Sequence, residues 1–184
     1  MTTRQTPELS ASRLHIGRRL FIYCAVWSVV AAVTSSSEAQ ETLENRGHDP
    51  FFQISSAIKN CPEPAGPRVS EEEWMSQSHH RIEHGNHCWL EGRCRLPNAF
   101  DYDGEIAETT RRRLQWLSEV LPAWRQSTLW ITVYQRWILV QGCVTDRFPR
   151  ERFFAALNEV ADAERIVSEV TEHVDQKPPY ILFH

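Results

Sequence analysis

The chain of 184 residues lacks the short motifs that mark the common classes of enzyme. It has no nucleophile elbow, P-loop, Rossmann glycine pattern or HExxH sequence. Acidic residues and histidines are scattered along the chain, and their spacing singles out no catalytic pair. We therefore predict a protein that is not an enzyme and that needs no cofactor.

The apolar run from Leu20 to Val33 is shorter than the roughly 20 residues that a bilayer-spanning helix needs. A basic leader with several arginines precedes it, and the small-x-small sequence Ser37-Glu38-Ala39 follows it. This order of regions is typical of a cleaved secretory signal peptide. We predict a signal peptide over residues 1–39 and a periplasmic or otherwise exported location, with an uncleaved anchor as the alternative.

Basic residues are not in excess. Removal of residues 1–39 takes away four arginines and two glutamates, and it leaves 16 basic and 22 acidic residues with a formal net charge of −6. A net acidic protein is a poor general binder of nucleic acid or of anionic membranes. We expect no nucleic-acid partner, and any contact with an anionic surface must come from a local basic patch.

Four cysteines follow the predicted signal peptide: Cys61, Cys88, Cys94 and Cys143. An even number of cysteines in an exported chain indicates disulfides, because the compartment is oxidising. Cys88 and Cys94 would lie about 20 Å apart on a straight strand, so they can pair only if the chain turns at Gly92. Of the three connectivities, we favour Cys88–Cys94 with Cys61–Cys143, and buried reduced cysteines are the alternative.

The run from Thr128 to Val144 is the most β-rich part of the sequence. Its β-branched and aromatic residues alternate with period two on both sides of Gln135-Arg136. The pattern predicts two half-buried strands that form an antiparallel hairpin. Gln135-Arg136 lacks the Gly, Asn or Asp of a tight two-residue turn, so we expect a wider turn.

Amphipathic helical patterns flank this hairpin. Apolar residues recur at helical spacing from Ile106 to Leu121 and again from Phe148 to Ala161. A last apolar segment, Arg165 to Val174, predicts a third strand beside the hairpin. The predicted order is helix, strand, strand, helix, strand, and the fold class is therefore α+β.

These residues resemble the BON domain, a small αββαβ module of bacterial envelope proteins. The likeness rests on Ile131 and Val133, on the I-x-V-x-G-x-V run from Ile138 to Val144, and on the ending from Val160 to Val170. It covers roughly residues 103–174. Proteins with BON modules are periplasmic or envelope-associated, and some bind phospholipid surfaces or other envelope proteins. The resemblance implies the same location and role for this chain.

One position departs from the family pattern. Asp162 stands where the family usually has Gly before the last strand. Asp tolerates the left-handed backbone conformation better than most residues, so we expect the turn to survive. The signal-peptide pattern and the resemblance together divide the chain into a signal peptide (1–39), an N-terminal extension (40–99), a BON-like module (100–176) and a C-terminal tail (177–184).

The extension is predicted to contain a helix and a hairpin. Asp49-Pro50 indicates a helix start, and apolar residues from Phe51 to Ile58 fall at helical spacing. The acidic run Glu71 to Glu73 indicates a second, short helix. Gly85-Asn86 predicts a hairpin turn with arms at residues 79–84 and 87–95, as in a partial BON-like repeat. The tail is expected to pack back on the fold or to meet a partner.

A basic and aromatic face is predicted on the helix that precedes the hairpin. Arg111, Arg112 and Arg113 lie mostly away from its apolar stripe, and Trp116 stands about 120° from the stripe. Arginines can meet lipid phosphates while Trp lies at the membrane interface. These four residues are the predicted lipid- or partner-binding site. The alternative is that Trp116 packs against the extension while the arginines are solvated.

A histidine cluster offers a lesser alternative. His79, His80, His84 and His87, with Cys88, place five potential zinc or copper ligands within ten residues. No common metal spacing is matched, and Cys88 is expected to be oxidised. A polar, solvent-exposed hairpin is the simpler interpretation, so we predict no metal site.

The leading functional hypothesis is a non-catalytic envelope protein that binds an anionic phospholipid surface and supports envelope integrity. The main alternative is a protein-interaction or secretion-associated adaptor module. In it Trp116, Trp124, Trp130 or the tail from Tyr180 to Phe183 docks an envelope protein or a second copy of the chain.

Overall fold

The computed structural model describes residues 42–183 except 84 and 85, and at residues 82, 83, 86 and 87 it describes the backbone alone. The predicted signal peptide lies outside the described residues. Those described form strands β1 (Phe51–Ser56), β2 (Thr128–Tyr134), β3 (Trp137–Cys143) and β4 (Arg165–Thr171), helices α1 (Glu71–Glu83), α2 (Asn86–Leu90), α3 (Ala99–Val120) and α4 (Arg150–Leu157), and a 3₁₀ helix (Pro122–Gln126).

The four strands form one sheet in the order β1-β2-β3-β4. Strand β2 pairs antiparallel with both β1 and β3, and β4 pairs parallel with β3 after the crossover through α4. The predicted helix, strand, strand, helix, strand order is therefore confirmed between residues 99 and 171, and the fold class is α+β. Helix α3 begins before Asp103, because the Asn98 side chain accepts a hydrogen bond from the backbone N–H of Asp101 and caps it.

The two faces of the sheet are covered by different parts of the chain. Alternate residues such as Ile131, Val133 and Val140 are fully buried with residues of α3 and α4 in the main core. Because side chains alternate across a strand, Thr132 and Tyr134 point to the opposite face, which we call the second face. Helix α1, the segment before it and the C-terminal tail cover this second face.

The predicted helix over residues 51–58 is wrong, because this segment forms β1. Phe52 lies opposite Ile131 in the register with β2, and both Phe52 and Ile54 pack against the main core. The helical spacing of the apolar residues was real, but pairing with a buried strand overrode it. The extension therefore contributes an edge strand to the same sheet as the predicted module, and the described residues between 42 and 183 belong to one compact unit.

The predicted hairpin over residues 79–95 is also wrong. The backbone is helical from Glu71 to Glu83 and from Asn86 to Leu90, so the acidic run does start a helix while the expected strands are absent there. Cys88 and Cys94 are joined by a disulfide, and Gly92 turns the chain between them with φ of +72°. The second favoured pairing, Cys61–Cys143, is also present.

The β2–β3 turn is tighter than expected. Gln135 and Arg136 form a two-residue turn with φ of +50° and +65°, the left-handed pair typical of a type I′ turn. The carboxylate of Asp103 accepts hydrogen bonds from the backbone N–H of Gln135 at 2.9 Å and of Arg136 at 2.6 Å. The Asp103 side chain thus stabilises a tight turn although the turn itself has no Gly, Asn or Asp.

Two other turns agree with the expectations. Asp162 has φ of +66°, which confirms that Asp adopts the left-handed conformation before the last strand. Gly142, within the I-x-V-x-G-x-V run, has φ of +133°, and a Cβ there would lie 2.1 Å from the carbonyl oxygen of Thr128. Only glycine fits this close approach of β3 to β2.

The C-terminal tail packs back on the fold, which confirms the first of the two expectations for it. The backbone N–H of Ala65 donates to Ile181 at 2.8 Å, and the Tyr180 hydroxyl donates to the carbonyl oxygen of Pro62 at 2.9 Å. The Cys61–Cys143 disulfide fixes the same segment to the end of β3. Residues 178–183 therefore form a strap across the second face.

Candidate functional site

The three consecutive arginines of α3 do not converge. The Arg111 guanidinium lies 3.9 Å from the centroid of the Phe52 ring, on the side facing β1. Arg112 is exposed and donates to the Thr109 hydroxyl at 3.0 Å. Successive helical residues differ by about 100° in direction, which explains this divergence. The predicted site is therefore divided over two sides of the helix.

Arg113 and Trp116 are the predicted residues that the structure brings together. The Arg113 guanidinium lies 4.4 Å from a ring centroid of Trp116, an arrangement that allows a cation–π contact. Arg113 also donates to the carbonyl oxygen of Ala156 at 3.0 Å and forms an ion pair with Glu159. Trp116 packs beside α4 and remains 47% exposed, so it does not pack against the extension.

Sequence reasoning missed the α4 side of this site. A groove of about 200 Å³ between α3 and α4 is lined by Arg113, Trp116, Val120 and Arg152, among others. Val120 is 46% exposed, and Arg152 is exposed. The sequence feature that could have revealed this side is the helical spacing of Phe153 and Leu157, because it orients the neighbouring α4 residues toward α3. We call Arg113, Trp116, Val120 and Arg152, together with Arg112 one helical turn before Trp116, the α3–α4 face.

Three of the proposed aromatic anchors are not on the surface. Trp124 is 3% exposed, Trp130 is 8% exposed and Tyr180 is 6% exposed. These residues cannot dock a partner on the folded protein, so that expectation is wrong for them. Trp116 remains available, together with Ile181 and Phe183 on the strap, which are 76% and 50% exposed.

A buried ion cluster was not anticipated from the sequence. Arg81 on α1 is 1% exposed, and its guanidinium binds both carboxylate oxygens of Asp49 and lies 3.7 Å from Asp103. The same guanidinium lies 4.2 Å from the ring centroid of Phe100 and 4.5 Å from that of Tyr134. The cluster joins the extension, α3 and the hairpin turn, and its members are too far apart in sequence for any motif to reveal them.

Burial has the largest effect on the pKa of Asp103. Loss of solvent raises the pKa of this carboxyl to about 6, and the nearby charge of Asp49 acts in the same direction. The hydrogen bonds from Arg136 and Gln135 and the charge of Arg81 oppose the increase. Asp103 is thus a titratable group at the centre of the fold.

Two cavities lie against the second face. The first, of about 200 Å³, is lined by Asp49, Trp74, Arg81, Thr132 and Tyr134, among others, and we call it the Arg81 cavity. The second is an open cleft of about 650 Å³ beneath the strap. Gly66 and Leu139 line both, so the two spaces are neighbours along the sheet.

The histidine cluster does not gain support as a metal site. His79 and His80 lie on α1 instead of a strand, and Cys88 is in a disulfide. His84 lies outside the described residues, as does the side chain of His87. Within the described part of the chain, no three His, Cys, Asp or Glu side chains are grouped so that they could hold a metal ion.

The comparisons with known proteins give no relatives. No protein-family model, no curated protein and no solved structure matches the chain. Among the residues described, no helix combines the length and the apolar character needed to cross a membrane. The two disulfides are consistent with an oxidising, exported environment.

Proposed function

We propose that the chain is an exported, non-catalytic envelope protein of the BON type that binds anionic phospholipid surfaces through the α3–α4 face. The observation that carries this proposal is the exposed pair Trp116 and Val120, which share a groove with Arg113 and Arg152. Arg112 is also exposed and lies one helical turn before Trp116. Exposed apolar side chains bordered by arginines suit the boundary between lipid headgroups and acyl chains.

The energetics favour weak and reversible binding. A basic residue near an anionic surface contributes about 1 kcal/mol, so three arginines supply about 3 kcal/mol. Glu159 neutralises part of the charge of Arg113, and the net charge of −6 after residue 39 repels an anionic surface. Insertion of Trp116 and Val120 must supply the remainder, and salt should weaken the interaction.

The proposed location rests on two further observations. The signal-peptide pattern of residues 1–39 and the two disulfides both fit export. The order of α3, β2, β3, α4 and β4 fits the αββαβ order of BON modules. On the basis of the same resemblance, we also propose a role in envelope integrity.

Vesicle flotation tests the lipid site. The oxidised protein is mixed with vesicles of phosphatidylcholine alone, or of phosphatidylcholine with phosphatidylglycerol, at low and physiological salt. We expect flotation with the anionic vesicles only, and less of it at the higher salt. Trp116→Ala and the double variant R112E/R152E should each abolish flotation without loss of the folded circular dichroism spectrum.

A matched variant separates a local site from a general charge effect. R93E/R165E changes the net charge by the same amount, but Arg165 is stacked on Trp137 of the second face and Arg93 lies in the Cys88–Cys94 loop. This variant should still float with anionic vesicles. An equal loss of flotation in both double variants would contradict the assigned face. If neither the wild type nor any variant floats, lipid binding is rejected.

A protein partner is the second candidate function. Ile181 and Phe183 are exposed on the strap, where an envelope protein or a second copy of the chain could contact them. Binding of this kind should depend little on vesicle charge or salt. Cross-linking in envelope extracts, compared between the wild type and I181S/F183S, tests it; an unchanged cross-linking pattern would reject the strap as the contact.

A further inference from the structure

The last strand of the sheet has an open edge. Strand β4 stands at one end of the order β1-β2-β3-β4 and pairs with β3 on one side only. None of its seven residues is buried, whereas six of the seven residues of β2 are. Within the part of the chain that the structure describes, no segment outside the sheet forms a backbone hydrogen bond with Ile166, Ser168 or Val170.

The pairing with β3 determines which backbone groups of β4 point outward. The carbonyl oxygen of Thr171 accepts a hydrogen bond from the N–H of Val144 at 2.8 Å, so the backbone of Thr171 faces β3. In a regular ladder, every second residue of a strand directs its N–H and C=O groups to the same neighbour. The backbone groups of Ile166, Ser168 and Val170 therefore point away from the sheet, where another strand could bind them.

The two edges of the sheet differ in regularity. Strand β1 has an irregularity between Gln53 and Ser55 that shifts its register against β2. Bulges, prolines and lysines are among the features that prevent an edge strand from pairing with another chain. Strand β4 has none of them, because its register with β3 is unbroken from Arg165 to Thr171 and its sequence contains neither Pro nor Lys. The β4 edge is thus able to accept a further strand.

The charges on β4 complement an antiparallel copy of the same strand. Arg165 and Glu169 lie on the second face, on either side of Val167, where Arg165 stacks on Trp137 and Glu169 accepts a 2.7 Å hydrogen bond from Gln141. Among the described residues, neither of the two charged groups has an ion-pair partner. Their opposite signs allow each to pair with the other in a second copy.

These charges also favour one register. When two copies of β4 run antiparallel about an axis at Val167, Arg165 of each copy lies opposite Glu169 of the other, and the two Val167 side chains meet. Facing residues of opposite charge stabilise a strand pair, and facing like charges destabilise it. An axis at Ser168 loses both charge pairs, and an axis at Glu169 places two carboxylates opposite each other.

We propose that β4 pairs antiparallel with β4 of a second copy of the chain, so that two four-stranded sheets become one continuous sheet. With the axis at Val167, the N–H and C=O groups of Ser168 in one copy bond those of Ile166 in the other. The contact is confined to one strand, so the dimer is weak and reversible. It uses none of the residues of the α3–α4 face.

Sedimentation velocity of the oxidised protein tests the dimer, with Ser168→Pro and Ser168→Ala as a matched pair. Both variants lose the hydroxyl, but only S168P lacks the outward N–H, and it gives up no hydrogen bond to β3. Over roughly 1 μM to 1 mM, wild type and S168A should show the same monomer–dimer equilibrium, and S168P should dimerise at least roughly tenfold more weakly. Circular dichroism checks the fold.

A second pair of variants is available if S168P does not fold. Glu169→Arg places an arginine opposite Arg165 of the other copy and should also weaken the dimer roughly tenfold. Glu119→Arg makes the same change of charge at an exposed position of α3 and should leave the dimer unchanged. All variants retain residues 1–39, so differences between them report on the substituted position.

Cysteine cross-linking tests the register. In the proposed dimer the two Val167 residues form a non-hydrogen-bonded pair with Cα atoms about 4.5 Å apart, within the range of a disulfide. Ser168 lies opposite Ile166, and its two copies are too far apart to be bridged. V167C should therefore form a linked dimer on mild oxidation and S168C much less of it, although Ser168 is the more exposed of the two.

Three results would overturn the inference. A protein that stays monomeric over the whole concentration range would reject a second copy as the strand that β4 binds, in favour of an extended segment of another protein or of water alone. Equal dimerisation of S168P and S168A, or of E169R and E119R, would place the contact elsewhere on the molecule. Cross-linking of S168C as fast as that of V167C would reject the proposed pairing.

Discussion

The buried carboxylate of Asp103 on α3 accepts a 2.6 Å hydrogen bond from the backbone N–H of Arg136 at the tip of the β2–β3 hairpin. Arg136 has φ of +65°, a conformation that disfavours residues with a Cβ. The hydrogen bond therefore holds a turn that the local sequence would not choose. Helix α3 therefore stabilises the β2–β3 hairpin at the centre of the sheet.

Asp103→Ala should destabilise the protein by about 2–4 kcal/mol, because it removes both acceptors of the turn and one counter-charge of Arg81. Urea unfolding at neutral pH measures this. Asp101→Ala is the control, since Asp101 is exposed on the same helix and should cost less than about 1 kcal/mol. Stabilisation by Asp103→Ala would mean that the cost of burying the carboxylate outweighs its hydrogen bonds.

The raised pKa of Asp103 predicts an unusual dependence of stability on pH. Because the folded pKa of about 6 exceeds the ordinary value of 3.8, the folded state holds the proton more tightly than the unfolded state. This group's contribution is therefore most favourable below about pH 4 and declines as the pH rises through 6. The difference between the two pKa values corresponds to about 3 kcal/mol.

A comparison with Asp103→Asn isolates that contribution, because other carboxylates titrate in both proteins. The free energy of unfolding of the wild type, minus that of D103N, should fall by up to about 3 kcal/mol between pH 4 and pH 7. Chemical denaturation at several pH values gives this difference. A difference that rises with pH would show that the hydrogen bonds and Arg81 hold the pKa of Asp103 below its ordinary value.

Arg81→Lys should cost about 2–4 kcal/mol despite the retained charge. Lysine cannot bind both oxygens of Asp49 with a planar fork, and it cannot stack between Phe100 and Tyr134. Arg93→Lys, at an exposed ion pair with Glu91, should change stability by less than about 0.5 kcal/mol. Thermal or urea unfolding distinguishes these values, and equal effects would show that the buried cluster adds no more than a surface pair.

The two disulfides should differ in their contribution to stability. Cys61 and Cys143 are 82 residues apart, whereas Cys88 and Cys94 are six apart. Loop-closure entropy then predicts a loss of about 4.5 kcal/mol for C61A/C143A and about 2 kcal/mol for C88A/C94A. Urea unfolding without reductant tests the order, and a larger loss for C88A/C94A would show that strain or residual structure outweighs loop length.

The sequence identified the elements whose signals are local. Helix α3, the hairpin strands, α4 and β4 were all predicted, because each combines a clear period with Pro or polar residues at its ends. The helix predicted over residues 51–58 was wrong. Phe51, Ile54 and Ile58 fit a helical period, but the pairing of Phe52 with Ile131 makes the segment a strand. Tertiary pairing is not visible in a single window of sequence.

The same distinction applies to the sites. Arg113 and Trp116 were predicted together because they are neighbours on one helix, and the structure keeps them together. Arg152 was missed because it reaches the groove from another helix. Asp49, Arg81 and Asp103 meet only after the sheet and α1 have packed, so no spacing rule could have joined them.

The strap over the second face has a consequence for biosynthesis. Pro62 and Ala65 receive their hydrogen-bonding partners from residues 180 and 181, and β4 is completed only at Thr171. A chain that emerges from the ribosome or from an export channel in N-to-C order cannot cover this face until those residues appear. Coverage of the sheet beneath the strap therefore becomes possible only after all four strands have been synthesised.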